Sequence, residues 1–301
     1  MAPIYIYTEE LFLRPRIKRW LKKISGRGFG GPLAVERSLI AGLKELGQPF
    51  YLNQPSHTGG VACVLNGVET LKWALEQKQK GIISKIIAGP NLVVTPLEAG
   101  GILQDKAIDI VVVPGRWVKD FYISLAPGLL GRVEVWPAGV DVPNLETNEK
   151  KYDALIYNKL KENTLAENIG SYLSSLGKNV IRLDYGKFSQ QEYFNLISQS
   201  KILVYLSESE SQGLAIFEAW ARGVPSLVWE RNLFTYQNYR LTTKAASEYV
   251  TEQVGLPFCD AEDFKKRYNE VSNKGLDPRG FVLANYSDAR AAENYLKIAG
   301  I

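Results

Sequence analysis

The feature that most constrains the fold is the stretch from residue 202 to residue 229. Residues 202–206 form a short apolar run typical of a buried strand, and apolar residues recur at three-to-four spacing from about Leu214, which predicts a helix. Gly223 and Pro225 end that helix, and residues 226–229 begin another strand. A strand, a polar loop, a helix and a second strand in this order predict a parallel crossover unit.

The polar loop between the first strand and the helix has the chemistry of an anion site. Backbone N–H groups at a helix N-terminus, together with the helix dipole, stabilise an anion such as a diphosphate. Glu210 and Glu218 stand eight residues apart across this loop. A carboxylate is a strong hydrogen-bond acceptor and suits sugar or ribose hydroxyls. An ordinary crossover with solvated acids fits the same pattern.

This segment resembles the E-x7-E donor-binding motif of retaining glycosyltransferases of the GT-B fold, in the large glycosyltransferase family 4. The family string is Ser-x-x-Glu-Gly-Phe-Gly-Leu-x-x-x-Glu-Ala-Met-Ala-x-Gly-x-Pro. The chain agrees with it at nine of nineteen positions: Ser207, Glu210, Gly213, Leu214, Glu218, Ala219, Ala221, Gly223 and Pro225.

The resemblance extends to other parts of the chain. Residues 111–120 look like the family's last N-domain strand and the helix after it, and residues 133–141 are similar to its Pro-Asn-Gly-Val-Asp signature. The resemblance implies the GT-B fold: an α/β protein of two Rossmann-like parallel-sheet domains facing a central cleft, with the C-terminal helix crossing back to the first domain.

The resemblance also implies roles for residues of the second domain. Glu210 would contact the transferred sugar and Glu218 the ribose. Tyr185 and Gly186 follow a strand where the family seats the base, although a core or surface tyrosine is nearly as good an interpretation. The backbone of four loop residues would face the phosphates and the sugar: Ser211, Gln212, Gly213 and Leu214.

Family members hold the donor diphosphate with an arginine and with a lysine five residues later. Here Lys159 replaces the arginine, offering a point charge rather than a two-pronged fork. Thr164 occupies the later lysine position, and Lys161 is a candidate substitute. We assign catalytic roles to Glu210 and Lys159; two solvated surface lysines are the alternative.

Candidates in the first domain are fewer. The family's glycine loop corresponds to Gly30 and Gly31, which would let the backbone approach the diphosphate without a Cβ clash, or would simply form a flexible loop. His57, the one histidine, and Asn91 stand near strand ends and are candidates for the acceptor side. A solvated loop histidine is the more common situation.

The sequence predicts no metal site and no cofactor other than the donor substrate. It has no His/Cys cluster and no Asp-x-Asp pair. The positive end of a helix and Lys159 would then offset the charge of the leaving diphosphate.

Composition and alternation predict a two-domain enzyme. The 301 residues are enough for two cores, the net charge of +4 does not indicate nucleic acid, and two separated cysteines suit a reduced, cytoplasmic protein. Strands and helices alternate along the chain, which predicts parallel sheets covered by helices. We expect an N-terminal domain over residues 1–145, joined by residues 281–301, and a nucleotide-sugar-binding domain over residues 146–280.

Residues 11–24 depart from the family pattern. They combine one apolar helical face with basic residues over the rest of the helix, Arg16, Lys18, Arg19, Lys22 and Lys23, which suits a peripheral contact with the inner membrane surface and a lipid-linked acceptor. Packing of the apolar face on its own domain is the alternative.

The predicted function is transfer of a sugar, with retention, from a nucleotide-diphosphate sugar to a hydroxyl of a glycan or lipid-linked acceptor, without a metal. The alternative is a non-catalytic GT-B protein that binds a nucleotide sugar or glycan. A GT-B hydrolase or epimerase is a more distant third.

Overall fold

The computed structural model describes residues 3–12, 31–54, 59–144 and 149–301. These divide into two compact units: the first contains residues 1–139 and 288–301, and the second contains residues 140–287.

The first unit is built on a six-stranded parallel sheet whose order is β2-β1-β3-β4-β5-β6. Its strands are β1 (Ile4–Tyr7), β2 (Phe50–Leu52), β3 (Gly60–Asn66), β4 (Ile83–Asn91), β5 (Ile110–Val113) and β6 (Val133–Val135). Its regular helices are α1 (Gly31–Glu45), α2 (Val68–Gln79), α3 (Arg116–Leu125) and, at the C-terminus, α9 (Asp288–Ala299).

The last helix completes the first unit by packing on its first described helix. A Cβ added to Gly42 of α1 would lie 2.0 Å from the carbonyl oxygen of Asp288, so only glycine permits this approach. Trp136, fully buried, donates from Nε1 to the carbonyl oxygen of Ala291 at 2.8 Å and meets the ring of Tyr295 edge-on at 4.7 Å. The expected return of the C-terminal helix to the first domain therefore has a defined packing basis.

The second unit contains a five-stranded parallel sheet of order β13-β10-β9-β7-β8 and a separate antiparallel hairpin, β11–β12. Its strands are β7 (Ala154–Asn158), β8 (Val180–Asp184), β9 (Leu203–Leu206), β10 (Ser226–Trp229), β11 (Phe234–Tyr236), β12 (Tyr239–Leu241) and β13 (Gly255–Phe258). Its helices are α4 (Thr164–Ser175), α5 (Gln190–Ser198), α6 (Leu214–Ala221), α7 (Ala261–Asn273) and α8 (Pro278–Asn285).

Both faces of the second sheet are covered by apolar side chains, because successive residues of a strand point to opposite faces. In β7, Leu155 and Tyr157 belong to the core that includes Phe217 and Trp220 of α6. Ala154 and Ile156 belong to the core that α4 and α7 cover on the other face. Continuous apolar runs are the expected signature of such two-sided burial.

The unit boundaries differ from those expected from the sequence. Residues 281–287 stay with the second unit, because Phe281 lies against Trp220 at 5.9 Å and Tyr286 lies against Phe217 at 4.9 Å between ring centroids. The first break falls after Gly139, whereas the sequence placed it after residue 145.

Between residues 230 and 286, the β11–β12 hairpin, strand β13 and helices α7 and α8 were not anticipated. Among the described residues, no helix combines the length and the apolar character required to cross a membrane. Most of the basic segment, residues 13–24, lies outside the described residues; of its first two residues, Phe12 is 38% exposed.

Candidate functional site

The candidate residues of the second unit gather at one edge of its sheet. Parallel strands end at the same edge, and the loops after the strand ends form the usual ligand site of such sheets. Lys159 follows β7, Tyr185 follows β8, the loop 207–213 follows β9 and Glu230 follows β10. Residues separated by more than 70 positions in sequence are thereby brought together.

Gly213 sets the geometry where the loop after β9 meets helix α6. It has φ +83°, a left-handed conformation that favours glycine, and it precedes Leu214 as the helix cap. A Cβ added there would lie 3.5 Å from Cβ and Cγ of Glu210 and 3.1 Å from Cδ1 of Ile216. Glu210 therefore packs directly beside the start of the helix, as the motif predicts.

Lys159 and Glu210, predicted as the catalytic pair, are in direct contact. Lys159 Nζ lies 2.5 Å from Glu210 Oε1, and the hydroxyl of Tyr205 donates to the same oxygen at 2.8 Å. The Lys159 and Glu210 side chains are 24% and 12% exposed, so the pair is largely shielded from solvent but still accessible. The backbone N–H of Lys159 donates to the carbonyl oxygen of Leu206, which fixes the pair at the ends of neighbouring strands.

Glu218 lies just over one turn into helix α6, as expected. Its Oε1 accepts a hydrogen bond from Nε2 of Gln190 at 2.8 Å. Gln190 is the first residue of α5, and a capping box between Ser189 and Glu192 fixes the start of that helix. Arg222 donates from Nη1 to the Glu218 carbonyl oxygen at 3.0 Å and covers the Phe194 ring at 3.9 Å.

Three buried tyrosines connect the two carboxylates. The ring of Tyr157 is 5.0 Å from that of Tyr205 and 5.4 Å from that of Tyr193. Burial raises the pKa of Tyr157, and the charges of both Glu210 and Glu218 raise the same pKa further. Both carboxylates therefore lie within electrostatic reach of one buried phenol.

Burial and a neighbouring carboxylate also raise the pKa values of the two flanking tyrosines, Tyr205 and Tyr193. Burial and then Glu210 raise the pKa of Tyr205 well above its ordinary value. Burial and then Glu218 raise the pKa of Tyr193, whose hydroxyl donates to the Ala215 carbonyl oxygen at 2.5 Å. These phenols are neutral donors at physiological pH, and the E-x7-E pattern did not point to them.

The loop after β7 does not supply a second lysine to the pair. Lys161 is exposed, and Thr164 is the first residue of α4. A cation that the sequence did not suggest, Arg182, reaches Asn163 at the start of this helix. Its charge is already matched, since it pairs with Asp184 at 2.6 Å.

The remaining predicted donor residues lie around the same edge. Tyr185 is 61% exposed, with Lys159 Nζ 4.8 Å from its ring centroid. Gly186 follows with φ +83° and open space where a Cβ would lie. Ser211 is exposed, Gln212 is buried and Leu214 is half-buried. All of these belong to the neighbourhood of Lys159 or of the helix start, so the structure brings them together.

Of the four candidate residues in the first unit, the structure describes two, Gly31 and Asn91. Gly31 begins helix α1, whereas Gly30 and His57 lie outside the described residues. Asn91 ends strand β4, and its Nδ2 is buried without a hydrogen-bond partner among the described residues.

A hydrogen-bonded cluster at the same edge of the first sheet was not predicted. Asn53 accepts from the N–H of Thr8 and donates to the Thr8 hydroxyl, both at 2.9 Å. Asn66 accepts from the N–H of Glu9 at 2.7 Å. The available sequence signal was the position of Asn53 just after β2 and of Asn66 at the end of β3, since asparagine favours the turns that follow strands.

Glu230 is a further residue at this edge of the second unit's sheet that sequence reasoning missed. It is 3% exposed, and its carboxylate accepts hydrogen bonds from Asn232, Ala246 and Ser247. A glutamate directly after a buried strand was the available signal.

Over the described ranges, no group of three or more His, Cys, Asp or Glu side chains is arranged to hold a metal ion. Metal independence stays a prediction for experiment.

Neither a protein-family model nor a curated protein matches the sequence. Solved structures do resemble the fold. The lipopolysaccharide outer core galactosyltransferase WaaB aligns at 11% identity with TM-score 0.61 over 99% of both chains. AviGT4, a glycosyltransferase involved in avilamycin A biosynthesis, aligns at 13% identity with TM-score 0.58 over 100% of this chain and 97% of the other.

Two further structures widen the comparison. TarM aligns at 10% identity with TM-score 0.57 over 89% of this chain, which spans only 58% of TarM's length. The Methanocaldococcus jannaschii UDP-GlcNAc 2-epimerase aligns at 12% identity with TM-score 0.51 over 99% of both chains. Identities this low support the fold alone: two Rossmann-like parallel-sheet domains of the GT-B type, as the sequence predicted.

Proposed function

We propose that this protein is a retaining glycosyltransferase of the family 4 type, moving a sugar from a nucleotide-diphosphate sugar to a hydroxyl of a glycan or lipid-linked acceptor without a metal ion. The observation that carries the proposal is the contact between Lys159 and Glu210 beside the start of helix α6. It places a cation, a carboxylate and a helix N-terminus within one small region of the sheet edge.

Each of these groups fits one part of the donor. An ammonium has three donors, so Lys159 can bind Glu210 and still offer hydrogen bonds to phosphate oxygens. The first N–H groups of a helix lack carbonyl partners within the helix and favour an anion. The carboxylates of Glu210 and Glu218 suit the hydroxyls of the sugar and of the ribose.

The proposed reaction requires that the donor and the acceptor are oriented and that the charge on the leaving diphosphate is stabilised. The bond between the sugar carbon and the phosphate oxygen breaks, the acceptor oxygen bonds to that carbon on the same face, and the leaving phosphate takes the acceptor's proton. Lys159 and the helix start would stabilise the negative charge as it develops on the diphosphate. We nominate no protein nucleophile, and the acceptor side would include Asn91 and His57.

The names of several structural neighbours support this substrate class. Two are named as glycosyltransferases, and another, covered over 58% of its length, is named as an O-GlcNAc transferase in complex with UDP and GlcNAc. An epimerase in complex with UDP-GlcNAc and UDP has the same fold. We therefore keep epimerisation or hydrolysis of the donor as a competing activity, next to the non-catalytic binder.

The decisive experiment measures release of nucleoside diphosphate from a panel of nucleotide sugars, with and without candidate acceptors. Release that requires an acceptor supports the transferase, and NMR of the product's anomeric configuration tests retention. Slow release without acceptor supports a hydrolase, and epimerised donor supports an epimerase. Tight binding without turnover supports the binder, and activity abolished by a chelator would refute metal independence.

Two pairs of variants test the residue roles. Lys159→Met should reduce diphosphate affinity roughly ten- to hundredfold, because a charge-assisted contact is lost, while Lys159→Arg should retain most of it. Glu218→Ala should weaken nucleotide binding with the fold intact, whereas Glu270→Ala, near the C-terminal end of helix α7, should not. Unchanged affinity of Glu218→Ala in calorimetry would contradict the ribose assignment.

A further inference from the structure

Glu230 is a buried carboxylate that lies outside the E-x7-E motif. Its backbone N–H donates to the Phe258 carbonyl oxygen at 2.8 Å, which extends the pairing of β10 with β13 by one residue. The side chain therefore starts from a fixed position at the carboxyl edge of the sheet.

Four donors converge on this carboxylate. Oε1 accepts from the N–H of Asn232 at 2.7 Å, and Oε2 accepts from the N–H groups of Ala246 and Ser247 at 3.0 and 2.9 Å and from the Ser247 hydroxyl at 2.9 Å. Among the described residues no lysine or arginine forms an ion pair with it. A buried charge is stable only where hydrogen bonds replace its hydration, and here backbone groups do so.

The donors come from both ends of the β11–β12 hairpin. Asn232 precedes the hairpin, while Ala246 and Ser247 follow it, and the N–H of Thr243 donates to the Asn232 carbonyl oxygen at 3.1 Å. Glu230 thus joins the residues before and after the hairpin to the end of strand β10, which lies between β13 and β9 in the sheet.

The segment held by Glu230 also holds Glu210. The carbonyl oxygen of Ala245 accepts from the N–H of Glu210 at 2.7 Å, and Ala245 is the residue before Ala246. The peptide unit between Ala245 and Ala246 therefore links the two glutamates: its N–H donates to the Glu230 carboxylate, and its carbonyl oxygen accepts from the backbone N–H of Glu210.

We infer that Glu230 is a positioning residue that sets the placement of Glu210 through the segment 245–247. The inference rests on the proposed function, in which Glu210 contacts the transferred sugar. Glu230 itself touches no substrate. Its loss should impair recognition of the sugar of the donor, while recognition of the nucleoside diphosphate by other groups should persist.

The first test needs no ligand. Glu230→Gln keeps the shape of the side chain but turns an NH₂ group toward N–H donors. Hydrogen exchange of peptides spanning 207–213 should accelerate about tenfold or more, since the hydrogen bonds to a charged acceptor are lost and the segment opens locally. Asp153→Asn is the matched control, because Asp153 also accepts a backbone N–H, from Asn179 at 2.9 Å, but at the amino end of β7.

The outcomes of the exchange test are distinct. Faster exchange at 207–213 in Glu230→Gln and not in Asp153→Asn supports the inference, and equal exchange in both overturns it. If Glu230→Gln does not fold, Ser247→Ala removes a single donor. That variant must then exchange faster than the control at 207–213, or the inference fails.

The second test measures binding of UDP and UDP-GlcNAc by calorimetry. Glu230→Gln should lose about tenfold in affinity for UDP-GlcNAc and change by less than about twofold for UDP. Equal losses for both probes would indicate a general structural role and overturn the inference. Wild-type protein that binds no member of a nucleotide-sugar panel would refute the proposed function, while the exchange test would still decide the role of Glu230.

Discussion

Gly213 has a left-handed backbone and lies against both Ile216 and the candidate site residue Glu210. Its substitution therefore tests the backbone geometry and the packing of the site together. An alanine at φ +83° costs about 1 kcal/mol because its Cβ crowds the backbone in the left-handed region. The new methyl group would also lie 3.1 Å from Cδ1 of Ile216, which is 2% exposed and cannot move away freely. Overpacking of this kind adds about 1–2 kcal/mol.

The chain contains a matched control for the backbone cost alone. Gly177 has φ +69° in an exposed turn after α4, and a Cβ there would have no neighbour within 4 Å. Gly213→Ala should therefore lower the free energy of unfolding by about 2–3 kcal/mol and Gly177→Ala by about 1 kcal/mol. Urea unfolding followed by circular dichroism measures both values.

The backbone penalty and the packing penalty can be tested separately. Equal losses for the two variants would show that Ile216 relaxes without cost, so close packing at the helix start would not matter. No loss in Gly177→Ala would refute the backbone penalty itself.

Three further predictions concern groups with defined partners. Tyr205→Phe should lower the free energy of unfolding by about 1 kcal/mol, because it removes a 2.8 Å hydrogen bond to a carboxylate that keeps its lysine partner. The hydrogen bond from Lys201 holds the pKa of Asp153 below its ordinary value of 3.8, so wild type should exceed Asp153→Asn in stability by about 0.5 kcal/mol at neutral pH, and this difference should disappear as the pH falls below 3.8. Burial raises the pKa of the Cys63 thiol to about 12, so a thiol reagent at neutral pH should modify only the exposed Cys259 until the protein is unfolded.

Each of these has a result that would contradict it. Unchanged stability in Tyr205→Phe would mean that the hydroxyl contributes nothing at this position. A stability difference for Asp153→Asn that persists in acid would show that charge is not its source. Modification of two thiols at equal rates in the native protein would contradict the burial of Cys63.

Regular elements with buried faces could be predicted from the sequence because their patterns are local. The strand at residues 226–229 was predicted with its observed bounds, and the helix beginning at Leu214 was predicted from apolar spacing. The resemblance implied that Glu210 and Glu218 face the same donor, and in the structure the charges of both carboxylates raise the pKa of Tyr157.

The elements that were not predicted have local sequences that argue against the structure they adopt. Strand β13 contains Pro257, which argues against a strand, yet β13 is at the sheet edge and pairs with β10 alone, where a missing N–H is tolerated. The β11–β12 hairpin turns at Gln237 and Asn238 without a glycine, with Gln237 at φ +51°. The role of Glu230 depends on backbone groups up to 17 positions away, which no local pattern records.

The discontinuous make-up of the first unit has a consequence for synthesis on the ribosome. Trp136 finds its indole acceptor at Ala291 and its aromatic neighbour at Tyr295, and Gly42 leaves room for the backbone of Asp288. The nascent chain must therefore emerge through residue 295 before the earliest-translated core can close. Residues 140–287 need no such delay, so the later-translated unit can reach its native state first.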